Sequence, residues 1–222
     1  MHNLPRSGWR WSFLLASCFA ALSATSPIQA QTPPPAPVVV QSPSCTPEQL
    51  HIFIVHGWDA LDLAHLKKMV RCCQEWGFPN VCMKQCYHRK ALVQDVAVIR
   101  AQNPNAQFAF IGFSAGACTA RDATLELHDK YGIDVRLLVY LGGNFLGWRK
   151  TNCPAYVERV IHVRSWDDCI LSPRLSDAET HTIPWVWHFS SPHNARTVSI
   201  VQNSLQQLVQ TCPTETGTVI RP

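Results

Sequence analysis

The chain has 222 residues, of which 46% are hydrophobic and 15% charged, with 10 Cys, 16 Pro and a formal net charge of +4. That length suits one domain of ordinary size with appendages. The composition excludes a disordered polyelectrolyte, a collagen-like chain and a polytopic membrane protein. Lys and Arg form no dense run, so nucleic acid is not an expected partner.

Residues 1–30 read as a signal peptide. Arg6 and Arg10 stand without an acid, an apolar stretch runs from Trp11 to Ala24, and Ala30 supplies the small residue before a cut. That stretch is about 14 residues, against the roughly 20 a membrane span needs. Leu15-Ala16-Ser17-Cys18 also resembles a bacterial lipoprotein box, which would tether the mature chain through an acylated Cys18. Cleavage near Ala30 is preferred, because Phe19-Ala20-Ala21-Leu22 continues the apolar run past Cys18. Both readings predict an exported protein, periplasmic or secreted. Residues 31–44 (QTPPPAPVVVQSPS) form a Pro-rich, extended spacer, so the folded domain is placed at 45–222.

From His51 the pattern alternates between strand and helix. His51 to Val55 is an apolar, β-rich run closed by Gly57. Asp59 is read as the cap of a helix to Trp76, with Leu66, Met69, Val70 and Cys73 at helical spacing and Gly77 as its stop. Val81 to Tyr87 is a second strand, Ala91 to Ala101 a second helix, and Phe108 to Phe113 a third strand that leads at once into a helix from Ala115 to Lys130. Val135 to Leu141, Val157 to Val163 and Thr182 to Phe189 are three further strand-like runs. Asn194 is read as capping a last helix to Val209. Near-continuous apolar strands separated by helices predict an α/β fold: a mostly parallel sheet of about six strands, covered by helices on both faces.

Gly112-Phe113-Ser114-Ala115-Gly116 is a G-x-S-x-G motif that ends an apolar strand and opens a helix. In that setting the glycines allow close backbone approach, and Ser114 occupies a sharp turn with its hydroxyl exposed. A serine hydroxyl is a weak nucleophile until a base and an orienting acid activate it.

At these residues the chain resembles the α/β-hydrolase superfamily, over about His51 to Val209. The resemblance implies a minimal form of that fold and a triad in the order nucleophile, acid, histidine. The acid follows a late strand, here Val160-Ile161-His162-Val163. Asp167 and Asp168 both fit; Asp168 is preferred because Cys169-Ile170-Leu171 gives it the three apolar followers found in many relatives. The base is expected at His193, between the last strand and the final helix, with His188 inside the strand and His181 before it as structural residues. Ala115 and Trp58 are the expected backbone donors of the oxyanion hole, the second within a His56-Gly57-Trp58 loop that His56 shapes. Trp58, Phe113, Phe145, Trp148 and Trp166 fall near loops at the active face, as acyl-pocket walls or as core. The stretch between Leu141 and Val157 is too short for a helical cap, which implies an open cleft.

Export turns the cysteines towards disulfides. Nine remain without Cys18, an odd number. Cys118 is the candidate free thiol, and Cys153 with Cys169 a candidate bridge bracing the acid loop. Cys82 and Cys86, near Cys72, Cys73 and His88, lack tight C-x-x-C spacing, so no metal and no cofactor is expected. The expected activity is hydrolysis of carboxylic esters in a small molecule, lipid or polymer. The competing readings are a non-catalytic envelope protein on the same fold, and the same triad acting on amides or thioesters or in acyl transfer.

Overall fold

The computed structural model describes residues 46–59, 61–143, 152–168 and 174–210. The expected signal peptide, spacer, Cys18, Phe145, Trp148 and Cys169 lie outside these residues. In chain order the elements are β1 (Leu50–His56), α1 (Leu66–Glu75), β2 (Val81–Gln85), α2 (Arg89–Gln102), β3 (Gln107–Phe113), α3 (Ala115–Tyr131), β4 (Val135–Leu141), β5 (Val157–Arg164), β6 (Glu179–Thr182), a 3₁₀ turn (Ser191–His193) and α4 (Ala195–Gln210). The six strands form one sheet in the order β2-β1-β3-β4-β5-β6, with every neighbouring pair parallel.

Alternation along each strand divides the core into two layers. Ile52, Ile54, Ala109, Ile111, Leu137 and Val139 face one side, where Leu66, Met69 and Cys73 of α1 and Val201, Leu205 and Leu208 of α4 cover them. Phe53, Val55, Phe108, Phe110, Leu138 and Tyr140 face the other, against Leu92 and Val96 of α2 and Ala117, Ala120 and Leu127 of α3. No helix among the described residues is long and apolar enough to cross a membrane.

Two expected boundaries move. The first helix begins at Leu66 rather than at Asp59. Asp59 spends both carboxylate oxygens on the backbone N–H groups of Leu63 and Ala64, at 3.0 and 2.8 Å, and so closes a turn instead. Asp62 then accepts from the Leu66 N–H at 3.0 Å. The last strand ends at Thr182 rather than running from there to Phe189. Pro184 has no N–H for a sheet ladder, and Trp185 takes a left-handed φ of 60°, so the apolar residues that follow are loop.

Disulfide bracing is not found among the described residues: Cys72, Cys73, Cys82, Cys86, Cys118 and Cys153 are all thiols. Layering accounts for part of this, since Cys73 lies in the core on one face of the sheet while Cys82 and Cys153 pack on the other. Burial pushes the Cys73 thiol up to about 12, with neighbouring Cys72 adding to the rise, so it behaves as a small apolar residue.

His162 on β5 is fully buried beside Tyr140, and neither ring nitrogen has a hydrogen-bond partner among the described residues. Burial, aided by Arg164 and opposed by Asp168, lowers its pKa to about 4. A histidine depressed below its unfolded value of about 6.5 leaves stability intact above that pH and withdraws it as pH falls towards 4. Chemical denaturation should show a loss of about 2 to 3 kcal/mol between pH 7 and pH 4.5 from this residue. His162→Leu should remove that part of the acid slope; an unchanged slope would refute the assignment.

Candidate active site

Ser114 sits at the junction of β3 and α3 with φ 53° and ψ −125°, a backbone conformation that L-residues avoid. Its N–H donates to Leu141 O at 3.1 Å, and its carbonyl accepts from Ala117 N at 3.0 Å, so flanking elements hold the turn from both sides. The flanking glycines are steric necessities. A Cβ on Gly112 would overlap the Ala117 backbone, and one on Gly116 would overlap the carbonyls of Val55 and His56. Gly112→Ala and Gly116→Ala should therefore each destabilise the domain by about 1–3 kcal/mol or more, read by chemical denaturation. A neutral effect at either position would contradict this packing.

The loops after β1, β4, β5 and β6 converge on this turn, because parallel strands deliver their C-terminal ends to one edge of the sheet. Gly57 lies against the elbow: a Cβ there would sit 2.8 Å from Phe113 O and 2.9 Å from Ser114 Cβ. Trp58 follows it, strongly exposed, and a cleft of about 630 Å³ opens beside them, lined by Gly57, Trp58, Asp59, Gln85, Cys86 and Tyr87. Gly142 and Gly143, at positive φ of 64° and 98°, fill the space on the opposite side. A Cβ on Gly142 would come within 2.8 Å of His188 and Asp168, and one on Gly143 would overlap Ser114 O. The two glycines thus separate the serine turn from a histidine–aspartate pair.

That pair is Asp168 and His188. His188 Nδ1–H donates to Asp168 Oδ1 at 3.0 Å, and the ring lies against Phe113 with centroids 4.7 Å apart. With Nδ1 engaged by a carboxylate, Nε2 is left as the basic nitrogen of the neutral ring. Asp168 is buried, and Ser165 donates to its Oδ2 from both N–H (3.0 Å) and Oγ (2.6 Å). Burial alone would raise the Asp168 carboxyl, but the hydrogen bonds from His188 and Ser165 outweigh it and hold the group below its usual range. Asp167 has a different place. Its Oδ1 lies 2.6 Å from Ser165 Oγ and its Oδ2 accepts the His188 backbone N–H at 3.1 Å, so it ties the two loops together.

Asp168, rather than Asp167, is the carboxylate on a histidine ring, and that ring belongs to His188 and not to His193. His193 lies in the 3₁₀ turn, its ring 4.8 Å from that of His65 in an edge-on contact, and no carboxylate pairs with it among the described residues. Burial, then the neighbouring His65, lowers its pKa. The strand expected over Thr182 to Phe189 contains His188, and the Pro184-Trp185 break is the signal that releases it into a loop. His181 lies on β6, hydrogen-bonded to Glu179 at 2.8 Å.

His56 holds the loop after β1, with Nε2 3.1 Å from Asp62 Oδ1. His56, Asp59 and Asp62 bring one donor atom each to within 4.8 Å of one another, the only such trio among the described residues. Their oxygens already accept the N–H groups of Leu63, Ala64 and Leu66, so the trio is accounted for as bracing of this loop. Cys118 Sγ lies 3.1 Å from Gly143 O, one turn beyond Ser114. Ala115 is the first residue of α3, where N–H groups lack intrahelical acceptors. Of the expected aromatic walls, Phe113 is buried in the core while Trp58 and Trp166 are exposed.

No protein-family model matches the chain, and no curated protein sequence does. Solved structures with a similar fold include a serine hydrolase without a lid from Xanthomonas campestris, at 15% identity over 79% of this chain and 85% of the other, with a TM-score of 0.42. A protein of the same organism assigned to the alpha/beta hydrolase superfamily is 14% identical over 72% of this chain and 98% of its own, with a TM-score of 0.46. Human thioesterase 2 is 10% identical over 76% of this chain and 99% of its own, with a TM-score of 0.48.

Proposed function

We propose that this chain is a serine hydrolase of the α/β-hydrolase type, exported by its N-terminal segment and acting on carboxylic esters through an acyl-enzyme. The observation that carries the reading is the Asp168–His188 pair seated against Phe113, immediately before a serine in strained elbow geometry. Ser114 Oγ attacks the acyl carbonyl and its proton passes to His188 Nε2, while Asp168 holds the ring and stabilises the imidazolium. The N–H groups of Ala115 and Trp58 receive the oxyanion of the tetrahedral intermediate. Its collapse expels the alcohol, protonated by His188. Water then attacks the acyl-enzyme by the same route in reverse and frees the carboxylic acid. The exposed surroundings of Trp58 and Tyr87 support an open cleft and hence a bulky or aggregated ester.

The test is labelling of the purified mature domain with a fluorophosphonate probe, beside Ser114→Ala. Labelling that vanishes with the serine is expected, and labelling absent from the parent protein, or persisting without Ser114, would sink the proposal. A series of esters of increasing acyl length, with matched thioesters and amides, then fixes the acyl group and the bond cleaved. A thioester preference of more than about tenfold would replace the ester assignment.

A further inference from the structure

Arg136 and Arg121 are buried to a similar degree, at 9% and 7% exposed, but their guanidiniums have different surroundings. Arg136 makes a two-pronged pair with Glu158, at 2.7 and 3.1 Å. Arg121 meets no carboxylate among the described residues. Its Nη2 reaches Asn152 O at 3.5 Å, and its buried Nε–H has no acceptor. The adjacent Asp122 faces Arg89 instead, at 3.9 Å. A guanidinium taken out of water needs a counter-charge, because an unpaired buried ion is among the costliest features a fold can carry.

The neighbours of Arg121 share this lack of partners. Tyr140 on β4 and His162 on β5 are paired across the sheet, their rings 5.9 Å apart, and both are buried. The same row continues to Gly112 on β3, where α3 lies directly against the sheet at Ala117. Arg121 stands one helical turn beyond Ala117, on the same face of α3. The Tyr140 hydroxyl and both His162 ring nitrogens have no hydrogen-bond partner. Burial raises the Tyr140 pKa, and Arg121 is the foremost charge opposing that rise, so the phenol keeps its proton and feels the guanidinium. Arg164 and Asp168 act on His162 as well. Arg164 donates to Asp168 O at 3.0 Å, and the Asp168 carboxylate is engaged by His188 and Ser165.

The Arg121 Nε–H, the Tyr140 O–H and one N–H of neutral His162 each offer a donor. Native folds rarely leave such groups unsatisfied. A water would bring an acceptor but no charge, and a cation would meet Arg121. An oxyanion with four oxygens would need more donors than these three. We propose that Arg121, Tyr140 and His162 hold a small inorganic anion, of chloride size, between α3 and the β4–β5 pair. The ion is structural: it braces the two strands whose ends lead to Gly142 and to Asp168. Its binding does not depend on the hydrolase reading above.

The test is urea unfolding of the full mature chain at pH 7, with chloride replacing gluconate up to about 0.5 M at fixed sodium. Chloride should raise the midpoint along a saturating curve, as mass action requires of a bound ion. Tyr140→Phe and Arg121→Met should each weaken the apparent affinity at least about tenfold. Tyr140→Phe deletes one oxygen and keeps the ring, so the fold is retained. In gluconate it should equal or exceed the parent in stability, because an unsatisfied hydroxyl is gone, and in chloride it should fall behind. Chloride should also lessen the acid-dependent loss ascribed to His162, which is read in gluconate, since a neighbouring anion favours the charged ring. Crystals grown in bromide should show an anomalous peak within hydrogen-bond reach of Tyr140 Oη and Arg121 Nε. No chloride response at constant ionic strength, a response that survives both variants, or an ordered water in place of bromide overturns the proposal.

Discussion

His188→Ala is expected to lower ester turnover by about 10,000-fold or more, while His193→Ala stays within about tenfold of the parent. The difference rests on one hydrogen bond. His188 Nδ1 meets a buried carboxylate at 3.0 Å, whereas His193 meets the edge of His65 and the backbone of Ala64 and no carboxylate among the described residues. A base must carry its proton on the nitrogen away from the substrate, and a buried carboxylate on Nδ1 both selects that tautomer and stabilises the charged ring. No group paired with His193 among the described residues does either. Steady-state rates on the best ester from the panel, with thermal unfolding of each variant as a fold control, decide the matter. A collapse in His193→Ala with activity retained in His188→Ala would reverse the assignment.

Asp168→Asn should follow, with a loss of about 1,000- to 10,000-fold in kcat and a smaller change in KM. An amide in this place either presents N–H groups to His188 Nδ1, forcing the wrong tautomer, or loses the charge that stabilises the imidazolium. It also alters the acceptor that two Ser165 donors now share. Asp167→Asn should be far milder, within about tenfold, because an amide oxygen can still accept the His188 backbone N–H. Ser165→Ala belongs between them: it removes one of the three hydrogen bonds on Asp168 and the Oγ contact to Asp167, yet leaves the His188 pair in place. A shift in the acidic limb of the kcat profile would distinguish an effect on the dyad from simple loss of fold. Equal, mild losses in Asp167→Asn and Asp168→Asn would refute the distinction.

The active-face loops also account for the aromatic surface. An antiparallel hairpin turns back within a few residues, but parallel strands end together and every crossover begins at the same edge. The loop after β1 brings Trp58, that after β5 brings Trp166, and that after β6 brings Trp185 and Trp187. Tryptophans far apart in sequence thus stand exposed on loops at one edge of the sheet.

Much was already legible in the residues. Near-continuous apolar strands such as Phe108 to Phe113 can be satisfied only by burial on both faces, which implies a parallel sheet with helices above and below. Gly112 announces a turn too tight for a Cβ, because its clash is with the Ala117 backbone five positions on, whereas Gly116 is required by Val55 and His56, which only the fold brings against it. Distance past β5 narrows the candidate carboxylate to Asp167 or Asp168, and the apolar residues after Asp168 favour it through the family resemblance. Tertiary structure alone decided which histidine meets it. Apolar residues on both sides of Pro184 continue the strand pattern, and period-two alternation carries no information about where a ladder stops. That stop comes from a proline without an N–H and a left-handed Trp185, and it carries His188 across 20 residues of sequence to Asp168. The cysteines show the same division. Their number suggested bracing, but pairing depends on which face of the sheet each thiol occupies, and Cys73 and Cys82 are separated by the sheet itself.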